Sequence, residues 1–135
     1  MADTETLIRQ YFDAFNSKDS EAMLALLHED VVHDINEGGR EIGKEKFRWF
    51  LATMNRHYSE HLSDIVIMTS SEEGRAAAEF TVRGTYLATA EGLPEATGQS
   101  YSIAAGQFFE IDGGLITRVT TYYNLSEWIG QVGNG

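Results

Sequence analysis

The chain has 135 residues, with 21 acidic against 10 basic side chains, a formal net charge of -11 and no cysteine. That length suits a single domain over residues 1–135, able to bury roughly two-thirds of its unfolded surface around one core. The acidic balance without a basic run argues against nucleic acid and anionic membranes as partners, and the missing cysteine excludes disulfides, thiol nucleophiles and thiolate-bound metals.

No stretch approaches the roughly 18 to 20 consecutive apolar residues of a spanning helix, and Met1-Ala2-Asp3-Thr4-Glu5 lacks the basic start of a signal peptide. A soluble, cytoplasmic protein is expected. Leu7, Ile8, Tyr11, Phe12 and Phe15 recur at three- and four-residue spacing, one face of a helix, with Asp3 or Thr4 as its N-cap and an end near Asn16-Ser17. Asp19 or Ser20 can cap a second, shorter helix whose apolar side is Ala22, Met23, Leu26 and Leu27. The chain then extends at Val31, and Asn36-Glu37-Gly38-Gly39 reads as a turn. From Gly43 a third helix carries Phe47, Phe50, Leu51, Met54 and Tyr58 at helical spacing and ends around His57 to His61.

Beyond this point the hydrophobic period changes from about 3.6 to 2, the signature of antiparallel sheet. Strands are predicted at Ser63 to Thr69, Arg75 to Tyr86, Gln99 to Ile111 and Leu115 to Tyr123. Asp112-Gly113-Gly114 is a strong hairpin signal and Ser71-Glu72-Glu73-Gly74 a weaker one. The only proline, Pro94, falls in a loop, Leu125 to Ile129 can form a last helical turn, and Gly133-Asn134-Gly135 should fray. Helices segregated to one face of an antiparallel sheet make an α+β domain. If the sheet bends strongly around the long helix, it becomes a cone with an interior pocket.

Within this plan Asp34 stands out. It ends the apolar run Val31-Val32-His33-Asp34-Ile35, where loss of hydration would raise its pKa and make it a proton acceptor near neutral pH. Tyr11 interrupts the buried stripe of the first helix with a hydroxyl. Gln107 shares its strand face with Tyr101, Ile103, Ala105, Phe109 and Ile111, nearly all apolar. Each has a structural alternative: an Asx turn for Asp34, a core hydroxyl satisfied by backbone for Tyr11, and a buried amide pair for Gln107.

Trp49, Phe50, Met54, Tyr58, Tyr101 and Tyr123 are candidates to line a cavity for a flat apolar ligand, although aromatics at helical spacing are also ordinary core. His57-Tyr58-Ser59-Glu60-His61 matches an H-x-x-E-H zinc pattern. It straddles the predicted end of the third helix, so no metal site is expected there. His28 and His33 read as surface or satisfied histidines, with His33 pointing opposite to Asp34. An epoxide hydrolase would need a second carboxylate and an arginine converging with Asp34, and none of Arg48, Arg56 and Arg83 is obviously inward.

The order of elements, together with Tyr11-Phe12-Asp13-Ala14-Phe15-Asn16, Leu26-Leu27-His28-Glu29-Asp30-Val31-Val32-His33-Asp34 and Gly43, resembles the ketosteroid isomerase-related branch of the nuclear transport factor two-like (SnoaL-like) superfamily. The resemblance covers nearly the whole chain. It implies a cystatin-like cone: a curved antiparallel sheet wrapped around a long helix, with N-terminal helices, enclosing a pocket. It also implies an isomerase, or a related lyase or cyclase, that moves a proton beside a carbonyl of a cyclic or polyketide-like ligand without metal or organic cofactor.

Asp34 would be the general base, and Tyr11 and Gln107 the donors to the developing oxyanion. Gln107 stands where the isomerases have a protonated aspartic acid, and an amide is the weaker acid. The family's usual assembly implies a homodimer through the outer sheet face, where Glu79, Thr81, Arg83, Thr85, Phe108, Glu110, Arg118 and Tyr122 fall. The alternative function in the same fold is a non-catalytic domain that binds an apolar metabolite.

Overall fold

The computed structural model describes residues 3–72 and 74–133. Met1, Ala2, Glu73, Asn134 and Gly135, which figure in the expected N-terminus, turn and fraying end, lie outside the described residues. Helix α1, Thr4–Asn16, starts where the Asp3 carboxylate accepts a hydrogen bond from the Thr6 amide at 2.8 Å, and it buries Leu7, Ile8, Tyr11 and Phe12. Helix α2, Ser20–Ala25, is capped in the same way by Asp19 on the Ala22 amide at 3.0 Å.

Strand β1, Leu27–Asp34, turns at residues 35–39 into β2, Arg40–Ile42, a three-residue strand that the hydrophobic pattern does not announce. Gly43 then adopts φ 111°, a conformation that penalises any side chain, and redirects the chain into helix α3, Lys44–His57.

Helix α3 runs straight into sheet. Tyr58 is already extended (φ -137°, ψ 145°), and strand β3, Tyr58–Thr69, begins five residues before the expected Ser63. The amides of Leu87 and Ala88 reach the freed His57 carbonyl at 2.8 and 3.4 Å, which satisfies the helix end without a connecting loop. Strands β4, Arg75–Tyr86, β5, Ser100–Asp112, and β6, Leu115–Tyr123, follow the predicted meander within a residue or so. Helix α4 spans Leu125–Gly133 and is longer than the single turn expected.

The six strands form one curled, unclosed sheet in the order β2-β1-β6-β5-β4-β3. All neighbours are antiparallel except β1 and β6, which are parallel, with His33 beside Val119 and Asp34 beside Thr120. The expected meander is antiparallel throughout, and the parallel joint between β1 and β6 lies outside it. The N-terminal strand closes onto the far end of the meander, a long-range pairing that local periodicity does not encode.

Helix α1 fills the concave face. Phe12 is 1% exposed and meets Phe80 and Phe109 edge-on at 5.3 and 6.0 Å, while Tyr11 meets Phe109 at 5.8 Å. Each such burial contributes on the order of 2 kcal/mol. At the other end Trp128 of α4 packs against Tyr58, Tyr86 and Tyr101. Asn16 pins α1 to β3, its amide accepting from the Leu62 N–H at 2.8 Å and donating to the Leu62 carbonyl at 3.0 Å. No helix among the described residues is long and apolar enough to cross a membrane.

Candidate functional site

Helices α1, α3 and α4 do not fill the concave face completely. A cavity of about 210 Å³ remains between them and the inner row of β1 and β3–β6, lined by mostly apolar side chains. Of the residues singled out in the sequence, Tyr11, Gln107, Phe50, Met54, Tyr58 and Tyr123 line it; Asp34, Trp49 and Tyr101 do not. Trp49 is on the outward face of α3 and 75% exposed. Tyr101 is buried, but its ring lies across Gly84 toward Glu60 and not along the cavity wall.

Asp34 requires a correction of both place and charge. Alternation along β1 puts Val31 and His33 on the inner face and Asp34 on the outer one. Arg40 of the neighbouring strand β2 donates from Nε to Oδ1 at 2.6 Å and from Nη2 to Oδ2 at 3.1 Å, and the Thr120 hydroxyl donates to Oδ2 at 2.7 Å. Arg118 in turn bonds both Thr120 and Glu110. The Arg40 hydrogen bonds, with smaller help from Thr120 and the Arg118 charge, pull the Asp34 carboxyl down to about 2 against a partial desolvation. Instead of a desolvated base with a raised pKa, it is the anion of an ion-pair chain on the convex face.

The residue that faces the cavity from β1 is His33. It is 4% exposed, stacked on Phe47 with ring centroids 4.4 Å apart and met edge-on by Phe50 at 4.6 Å. Burial pushes its pKa down to about 4, with the Asp34 charge pulling the other way, so the ring is neutral at pH 7. The expectation of a surface or satisfied histidine is therefore overturned, because its buried Nδ1 has no hydrogen-bond partner. One signal was available in the sequence. Leu27, Val31 and Ile35 share the parity of His33, and only Val32 shares that of Asp34.

Two further cavity-lining residues each keep a buried atom without a partner, Asn36 Nδ2 and Gln107 Oε1. The Asn36 oxygen accepts from the Tyr123 amide at 3.2 Å, and Gln107 Nε2 donates to the Thr121 hydroxyl at 2.9 Å. Because a hydroxyl can donate or accept, turning the Gln107 amide over would keep the Thr121 bond and present an N–H to the cavity. Tyr11 is 3% exposed, and burial raises its phenol pKa well above the ordinary value, so it remains an O–H donor. A buried polar atom left unpaired costs about 1–3 kcal/mol. Three such atoms belong to residues that line one small cavity.

The H-x-x-E-H residues do not converge. His57 ends α3 with Nδ1 2.8 Å from the Ala88 carbonyl, while His61 points away from Glu60 on β3. No group of metal-ligating side chains occurs among the described residues.

A cone of curled sheet closed by N-terminal helices over a lined cavity defines the nuclear transport factor two-like class of fold. The SnoaL-like domain model matches residues 8–119, and the chain belongs to that family. It is 54% identical to a provisionally assigned polyketide cyclase from Pseudomonas putida KT2440, with a TM-score of 0.96 over 98% of this chain and 99% of that one. A second protein so assigned, from Silicibacter sp. TM1040, is 59% identical with a TM-score of 0.93, covering 95% and 93%. A nuclear transport factor two-like protein from Burkholderia pseudomallei K96243 shares the fold at 16% identity, with a TM-score of 0.76 and 98% of both chains covered. Among curated proteins none matches significantly.

Proposed function

We propose that the chain is a cofactor-independent enzyme of the isomerase or cyclase type that relocates a proton beside a carbonyl of a small cyclic or polyketide-like ligand. The observation that carries this reading is that three residues lining one apolar cavity, His33, Asn36 and Gln107, each keep a buried polar atom without a hydrogen-bond partner. The relatives provisionally assigned as polyketide cyclases support the same class of chemistry.

In this reading Tyr11 donates to the ligand oxygen, and Gln107, turned by its Thr121 partner, assists. The proton-accepting role expected of Asp34 passes to its inward neighbour His33. A neutral imidazole with a pKa of about 4 is a weak base in the free protein. Its conjugate acid gains stability as an enolate charge develops beside it in a low-dielectric site, so basicity rises along the reaction coordinate.

The test is deuterium exchange α to the carbonyl across a panel of cyclic ketones and enones. Tyr11→Phe should lose roughly 10²- to 10³-fold, as removal of an oxyanion donor does, and His33→Phe should abolish exchange. Exchange that survives His33→Phe and disappears in Asp34→Asn would return the base to Asp34 and refute this assignment. Two observations favour the second reading, a non-catalytic apolar-metabolite domain: Asp34 faces away and His33 is only weakly basic. Tight ligand binding without exchange would decide for it.

The proposal includes a homodimer through the convex sheet face, where Phe108 and Tyr122 are 47% and 58% exposed and pack edge-on at 5.9 Å, flanked by exposed Val66 and Met68. Light scattering should show a dimer that Phe108→Asp converts to monomer. A wild-type monomer at micromolar concentration would exclude it.

A further inference from the structure

Glu60 is an inward carboxylate that the proposed chemistry leaves unused. It lies on β3 between Tyr58 and Leu62, all three on the cavity wall. In the sheet register Glu60 pairs with Gly84 of β4, and Gly84 with Tyr101 of β5. A Cβ on Gly84 would sit 2.5 Å from the Tyr101 ring, so the glycine is the gap across which that ring reaches to place its hydroxyl 2.5 Å from Glu60 Oε2.

No ion pair reaches this carboxyl among the described residues. Lys18 donates to the Glu60 backbone carbonyl and lies over the Phe15 ring at 5.7 Å, and its charge attracts the carboxyl without forming an ion pair with it. Burial correspondingly holds the Glu60 pKa above the ordinary value. A carboxylate on the wall of an apolar cavity, with one neutral donor and a cation that does not pair with it, is only partly compensated, and a ligand cation would relieve it.

The surroundings suit such a cation. Tyr58 and Trp128, both on the cavity wall, meet edge-on at 5.8 Å and supply aromatic surface in the same cavity as Glu60. The net charge of -11 favours approach of positive ligands. This end is also remote from Gln107, because Tyr101 and Gln107 stand six residues apart on β5, about 20 Å along the strand.

We propose that Glu60, supported by Tyr101 across Gly84, is a second pole of the cavity that binds a protonated amine, so that the ligand carries a cationic nitrogen remote from its carbonyl. The proposal rests on the cavity being a ligand site and adds the chemical class of the ligand's far end. Isothermal titration of the full chain at pH 7 with 4-phenylbutylammonium and with its neutral counterpart 4-phenylbutan-1-ol tests it.

The amine should bind about tenfold tighter than the alcohol, the worth of one charge-assisted hydrogen bond. Glu60→Gln should cut the preference to threefold or less while alcohol affinity stays within twofold. An alcohol that binds as tightly as the amine overturns the Glu60 pole and leaves the cavity reading intact; so does a preference that survives Glu60→Gln. Failure of both compounds to bind the wild type overturns the two together. If Glu60→Gln does not fold, Tyr101→Phe, which removes the hydroxyl that holds Glu60, takes its place: a changed amine preference supports the Glu60 pole and an unchanged one overturns it.

Discussion

The sharpest consequence of the buried imidazole is a pH dependence of stability. His33 titrates near 6.5 when unfolded and at about 4 in the fold. A depressed folded pKa means that below 6.5 the unfolded chain takes up a proton the native state refuses, so stability is complete above pH 6.5 and falls toward pH 4. At about 1.36 kcal/mol per unit the full loss is on the order of 3 kcal/mol, of which about 2 kcal/mol is already gone at pH 5 relative to pH 8.

Replacing His33 by Phe keeps an aromatic ring in the slot between Phe47 and Phe50 and removes the proton site. Urea unfolding at pH 8 and pH 5, on both proteins, isolates the effect as a difference of differences. Contributions from other titrating groups cancel, including Glu60, whose raised pKa acts in the opposite sense. Wild type should lose about 2 kcal/mol more than His33→Phe over that interval. Equal losses in the two proteins would refute the claim that the imidazole is buried and neutral.

Removing the Asn16 side chain (Asn16→Ala) leaves the Leu62 N–H and C=O unpaired between α1 and β3 and should cost about 2–3 kcal/mol in urea unfolding; a change under 0.5 kcal/mol would show that water replaces the amide. Gly84→Ala drives a methyl into the Tyr101 ring and should cost about 1–3 kcal/mol by the same measurement, and a neutral result would contradict the overlay of Tyr101 on Gly84. Asp34→Asn should cost about 1 kcal/mol at pH 7, reduced from the full ion-pair value because Arg40 is 58% exposed, and should leave cavity ligand affinity within twofold. In the wild type that contribution is present above pH 3.8 and is lost as pH falls through about 2, so acid unfolding monitored by circular dichroism should shift upward in Asp34→Asn.

Helices and strands with sustained periodicity were legible in the sequence. Thr4–Asn16, Arg75–Tyr86 and Leu115–Tyr123 are found where spacing and turn residues place them. What was not legible depends on distant partners. Strand β2 is three mostly exposed residues that exist because β1 offers them an edge. The early start of β3 depends on residues 87 and 88 closing the end of α3. Glu60 looked like part of a false zinc motif, because its partner Tyr101 is 41 residues away and the gap at Gly84 appears only in the folded register.

The site itself turned on a single step of strand parity. Consecutive residues of a strand face opposite sides of the sheet, so Asp34 and His33 cannot both line the cavity. Resemblance favoured the carboxylate, whereas the apolar residues of β1 favour the imidazole, since Leu27, Val31 and His33 form the buried row. The sheet then fixes the outcome from both sides. On the convex face Arg40 and Thr120 bind the Asp34 carboxylate. On the concave face Phe47 and Phe50 grip a flat ring that solvent does not reach. Slipping β1 by one residue to bring Asp34 inward would break the Arg40 pair and expose His33 and Val31 together, a cost of several kcal/mol that no interaction in the cavity offsets.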